Sequence, residues 1–120
     1  MKVKVRITKS FKRAVKPLLK KYHSLSNDLD KLEKELINNP WLGISIGHEA
    51  YKIRLKISSK GKGKKGGARI ISLLEVTEKI SEEETVVNLI TIYDKAEVDT
   101  ISDNELKELF KNYKNDEYMW

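Results

Sequence analysis

From Tyr51 to Ile57 the chain alternates without a break, with Tyr51, Ile53, Leu55 and Ile57 on one side and Lys52, Arg54 and Lys56 on the other. A period of two is that of a strand, whose successive side chains point to opposite faces. One face of this segment is therefore apolar and must be covered by another layer, while the other is cationic. The three cations stand about 6.8 Å apart at alternate positions. Like charges in such a row destabilise a sheet unless water or an anion screens them. A polyphosphate strand is a natural counterpart, and lysines guarding an edge strand against sheet-to-sheet pairing are the equal alternative.

Around this strand the remaining elements follow from periodicity. Val3, Val5 and Ile7 alternate with Lys2, Lys4 and Arg6, which predicts an edge strand. Phe11, Val15, Leu18, Leu19 and Tyr22 fall at helical spacing, with Pro17 inside the stripe to kink the helix or begin a new one. A second helix is expected from Ser26 as N-cap, through Leu29, Leu32 and Leu36, to a stop at Asn38-Asn39-Pro40. The glycines of residues 41–50 indicate a loop that packs through Trp41, Ile44 and Ile46. Residues 68–77 and 85–93 are apolar on both faces and read as buried strands. Ser102 and Glu105 form an S-x-x-E capping box, with Ile101 and Leu106 placed as a hydrophobic staple, and Leu106, Leu109, Phe110 and Tyr113 give the buried stripe of a last helix. The expected fold is α+β, one domain over 1–120. Its order is β-α-α-β-β-β-α, with a four-stranded, mostly antiparallel sheet, an N-terminal helical hairpin and a C-terminal helix.

The distribution of charge points to a partner. The net charge is +6; residues 1–22 carry nine Lys/Arg and residues 51–69 eight more, with no acid in either block. Two such blocks on a small domain suit a polyanion or a merely solvated surface. The chain has no cysteine and two histidines, His23 and His48, which argues against thiolate chemistry, a metal centre or a two-histidine ribonuclease mechanism. No apolar run approaches the roughly 20 residues of a membrane span, and the basic N-terminus lacks a signal-peptide core, so the expected compartment is the cytoplasm.

The glycine-rich run after the cationic strand fails as a nucleotide-hydrolysing loop. Gly61 and Gly66 have the spacing, but Gly67 and Ala68 stand where Lys and Ser or Thr are required. What remains is a basic loop with Lys60, Lys62, Lys64 and Lys65, able to follow a phosphate backbone together with Lys56. Arg69 opens an otherwise apolar strand, just after two glycines that would let a substrate approach. A guanidinium there can stabilise charge building on a phosphate, or it can form a salt bridge to Glu75 or Glu49.

The stretches YKIRLKISSKGKGKKGGARIISLLEV and VVNLITIYDKAEVDTISDNEL resemble the RelE/ParE superfamily of toxins, with greatest similarity to its RelE/HigB-like branch, over roughly residues 3 to 112. The resemblance implies the toxin of a type II toxin–antitoxin pair, an endoribonuclease that cuts mRNA on the ribosome. In that chemistry the 2′-hydroxyl of the message attacks the adjacent phosphate, without metal or cofactor. By matched position Lys52, Arg54, Arg69 and Lys95 are the cations of the site. The family's catalytic tyrosine before the C-terminal helix is replaced near Ile101, which leaves Tyr93, and after it Glu97, as candidates for proton transfer. The implied partners are an acidic antitoxin encoded beside the toxin, the ribosome and mRNA. A gyrase-directed, ParE-like toxin and a non-enzymatic nucleic-acid-binding module are the alternatives.

Overall fold

The computed structural model describes residues 2–60, 66–78, 83–98 and 100–117. Strand β1 (Lys2–Ile7) leads into helices α1 (Lys9–Lys21) and α2 (Leu25–Asn38). Strands β2 (Ile44–Gly47), β3 (Ala50–Leu55), β4 (Ala68–Glu78) and β5 (Glu83–Asp94) follow, with a 3-10 turn at Ser58–Lys60, and helix α3 (Asp103–Glu117) closes the order. The sheet runs β1-β5-β4-β3-β2. Strand β1 is an edge, as its alternation predicts, and pairs parallel to β5; every other pairing is antiparallel.

The expected order is present with one strand more. Residues 44–47, expected as part of a loop, pair with β3 as a short outer strand. The glycines of this segment serve the hairpin. Gly43 has φ +104, and a Cβ on it would press on the Lys52 carbonyl oxygen. The two-residue turn is His48–Glu49, both with left-handed φ (55° and 62°). Asn-Gly is the usual sequence for such a turn, so His-Glu gave no warning of it.

The sheet separates two apolar clusters. On one face α1 and α2 bury Phe11, Leu18, Leu25 and Leu36 against Ile53, Ile70, Val87 and Leu89. Helix α1 continues through Pro17 as a single element. Helix α2 begins at Leu25, so that Ser24 and not Ser26 holds the N-cap position; the Ser24 hydroxyl makes no cap bond and is turned to Asp28 and Ser59. On the other face α3 brings Tyr113, Leu106, Leu109 and Phe110 onto Ile71, Ile90 and Leu73. Its start follows the sequence signature: the Glu105 N–H donates to the Ser102 hydroxyl oxygen at 3.1 Å, and Ile101 and Leu106 both pack into this cluster. Among the described residues no helix is long and apolar enough to cross a membrane.

Candidate functional site

Strand alternation and register decide which side chains meet. Ile53 and Leu55 face the helical hairpin, so Lys52 and Arg54 project from the opposite face, where α3 lies. Arg54 pairs with Arg69 in the β3–β4 ladder, and Arg69 pairs with Tyr93 in the β4–β5 ladder. The three residues form one row across the sheet, roughly 10 Å from Arg54 to Tyr93 at the usual strand spacing. One step along, Lys52 pairs with Ile71, and Ile71 with Thr91. Three strands thus bring two arginines, a lysine and a tyrosine to one face.

The members of the row differ in exposure. Arg54 is exposed and Lys52 half-buried, while Arg69 is only 5% exposed and its guanidinium donates to the Ala68 carbonyl at 3.2 Å. A cation at that depth is costly unless hydrogen-bonded, and its planar donors are held in a fixed orientation. Tyr93 is 9% exposed. Its hydroxyl is closed off from solvent and has no hydrogen-bond partner among the described residues. The tyrosine borders a cavity of about 330 Å³ whose other walls include Thr91, Ile101, Glu105 and Glu108. Ile101 therefore shares a cavity with Tyr93.

The surroundings of the other expected site residues differ. Glu97 takes the Lys21 ammonium at 3.0 Å, which draws it to the end of α1, away from the row. Lys60, expected as an RNA contact, is turned to the hairpin face, where its amine donates to Asp94 at 2.6 Å. Lys56 is exposed beyond the end of β3 and lines a shallow pocket of about 200 Å³ with Asp28, Lys31 and Glu35 of α2. Arg54 also borders this pocket because, among the described residues, β3 has no outer neighbour beyond Lys52 and is the sheet edge there. The backbone N–H of Lys95 donates to the Gly67 carbonyl at 3.0 Å, and its side chain is half-buried. Lys62, Lys64 and Lys65 lie outside the described residues. Gly67 has an internal requirement: a Cβ there would overlap the Leu55 carbonyl oxygen.

Asp94 holds the end of β5 to the hairpin. Burial alone would push its carboxyl up, but the Lys60 ammonium, the Tyr22 hydroxyl at 2.5 Å and the Ala96 N–H outweigh it and bring it down to about 2. Asp94 thus anchors the strand end that carries Tyr93 on its opposite face. Sequence reasoning passed over it, because an acid at a strand end resembles an ordinary turn residue. Glu105 and Glu108 were missed in the same way, since only the packing of α3 brings them to the Tyr93 cavity.

No family model matches the chain. A solved structure does: a double-mutant form of the Escherichia coli toxin RelE in the free state, at a TM-score of 0.52 and 19% identity, over 96% of this chain and 97% of that one. The chain has the RelE fold. The likeness takes in the helical hairpin, the sheet and α3 together, since almost the whole of both chains is covered.

Proposed function

We propose that this chain is a toxin of a type II toxin–antitoxin pair that cuts mRNA on the ribosome, with the row Arg54–Arg69–Tyr93 and the neighbouring Lys52 as its site. The observation that carries the reading is the placement of buried Arg69 between exposed Arg54 and buried Tyr93 in one register row. The RelE fold supports it as a scaffold of the same kind.

The chemistry needs three services. The 2′-oxygen of the message forms a bond to the adjacent phosphorus, the bond to the 5′-oxygen breaks, and one proton leaves the 2′-hydroxyl while another reaches the departing 5′-oxygen. The products are a 2′,3′-cyclic phosphate and a 5′-hydroxyl. Lys52 and Arg54, reachable from solvent, bind and orient the phosphate. Arg69, fixed by its surroundings, meets the charge that develops on the non-bridging oxygens, which is where a preorganised donor acts most strongly. Tyr93 is the proton-transfer group beside it, with the carboxylates of Glu105 and Glu108 in the same cavity. Because the Tyr93 hydroxyl is closed off, its participation requires its surroundings to open. An acidic antitoxin segment laid over the same cations would block the site.

The test is cleavage of a ribosome-bound message by the purified protein, with the ends of the fragments identified. Fragments ending in 2′,3′-cyclic phosphate, lost when the nucleotide before the cut is made 2′-deoxy, are expected. Fragments that persist with the 2′-deoxy message would rule out 2′-hydroxyl attack, and an intact message with translation unaffected would rule out the ribonuclease altogether.

A further inference from the structure

Helix α3 carries opposite charges on its two flanks. Glu105 and Glu108 line the cavity at Tyr93. Lys107, Lys111 and Lys114 instead line a second cavity, of about 680 Å³, with Leu73, Phe110, His48 and Glu49. Spacings of four and three residues set the lysines one above another along the helix, about 10 Å from first to last. All three are exposed, and none forms an ion pair among the described residues. The floor between the walls is apolar, formed by Leu73 and Phe110. The far wall is the β2–β3 turn, whose two left-handed residues hold a backbone that side chains disfavour and that persists where the surroundings fix it.

This groove continues the cationic face. Leu73 packs into the same cluster as Ile71, which is paired with Lys52, and it lies roughly 13 Å along β4 from Arg69. A strand of phosphates leaving the Arg54–Arg69 row by way of Lys52 meets a second set of cations after about that distance, with an apolar floor beneath it. An acidic peptide would also suit the lysines, but Lys52, which lies on β3 between the Arg54–Arg69 pair and the groove, favours a polyphosphate chain, with Glu49 the one acid of the groove wall among the described residues. We infer that the groove between the lysine flank of α3 and the His48–Glu49 turn takes a stretch of single-stranded RNA adjoining the cleaved phosphate. Lys107, Lys111 and Lys114 neutralise its backbone, and a base rests on Phe110 and Leu73. The inference builds on the ribonuclease reading given above.

The experiment is a salt titration of the affinity for a short single-stranded RNA oligonucleotide. It uses the full chain, a triple variant Lys107→Gln/Lys111→Gln/Lys114→Gln, and a control triple Lys16→Gln/Lys20→Gln/Lys34→Gln on the helical hairpin. The exposed lysines change charge without touching the core, so equal melting points check the fold. The groove variant should lose roughly tenfold or more in affinity, and its slope of log affinity against log salt should fall by about 2, at close to 0.7 per lost phosphate contact. The control should keep the parent's slope. Equal losses in both variants would mean diffuse attraction and overturn the groove. So would unchanged RNA binding, or loss of binding to a poly-glutamate peptide alone, which would assign the flank to an acidic protein partner. Cleavage of a ribosome-bound message separates the two readings. A parent that binds RNA through these lysines without cutting loses the ribonuclease and keeps the groove, whereas a parent that cuts while the groove variant binds normally loses only the groove.

Discussion

Arg69 and Tyr93 are direct register partners across the β4–β5 ladder, so that a buried guanidinium and a buried phenol stand side by side on the α3 face of the sheet. Neither side chain is needed to complete the apolar core of the helical hairpin, which is built from other residues. The two halves of the pair can be tested separately.

Replacing Arg69 tests the charge. Arg69→Ala should lower the rate of message cleavage by about 10²–10³, the effect of removing one preorganised donor from a developing charge. Arg69→Lys keeps a cation but loses the planar fork, so it should restore only part of the rate. Single-turnover cleavage read by primer extension gives both numbers. A mutant Arg69→Ala that cuts at the parent's rate, with circular dichroism showing it folded, would remove Arg69 from the site.

Replacing Tyr93 tests the proton. Tyr93→Phe keeps the ring and its packing and deletes a hydroxyl that has no hydrogen-bond partner among the described residues. The melting point should therefore stay the same or rise slightly, because a buried unpaired polar group is removed. Cleavage should fall by about 10²–10⁴, the usual worth of a positioned acid or base. Unchanged cleavage with an unchanged melting point would shift the proton to Glu105 or Glu108, to be tried next as Glu→Gln.

Asp94 sets a pH dependence with a definite sign. Its carboxyl is held at about 2 in the folded protein, against 3.8 as the ordinary value. A depressed acid stabilises the fold above its unfolded value, and that stability disappears as pH falls through the folded one. The contribution, ~2 kcal/mol at the usual 1.36 kcal/mol for each unit, should be whole at neutral pH, decline below about pH 4 and be gone near pH 2. Asp94→Asn should be less stable at pH 7 and show a flatter loss between pH 4 and pH 2. Parallel curves for mutant and parent in urea titrations across that range would mean that Lys60 and Tyr22 contribute nothing through this carboxylate.

Much of this architecture was legible in the chain. The alternation of Tyr51–Ile57 located β3 and its cationic face, and Ser102 with Glu105 located the start of α3, because both signals are local and act through neighbouring backbone. The row was half legible: Arg54 and Arg69 stood out by type, but only the β3–β4 register shows that they are neighbours. The destinations of Lys60 and Glu97 were not legible. A lysine in a glycine-rich run and an acid after a strand look solvated in sequence, and their partners Asp94 and Lys21 lie 34 and 76 positions away. The strand β2 was missed for a conformational reason, since its turn puts His48 and Glu49 where sequence normally places Asn and Gly.

The last expectation concerns what holds α3 to the sheet. Near its C-terminal end the Tyr113 hydroxyl accepts from the Arg6 guanidinium at 2.9 Å and donates to the Glu75 carboxylate. Asn88 completes the group, accepting from Arg6 at 2.7 Å and donating to Glu75 at 2.9 Å. This network ties the helix to β1, β4 and β5 through polar groups that are half-buried or deeper, where a lost partner is costly. Tyr113→Phe leaves the ring in place in the α3 cluster, so any loss comes from the hydroxyl. The variant should be destabilised by about 1–3 kcal/mol, and backbone amides of α3 should exchange faster than those of β4 and β5, which keep their ladder. A double-mutant cycle with Arg6→Met should show strong coupling between the two positions. If exchange in α3 is unchanged and the two substitutions add independently, the helix is held by Leu106, Leu109 and Phe110 alone, and the polar group serves only to satisfy the buried Asn88.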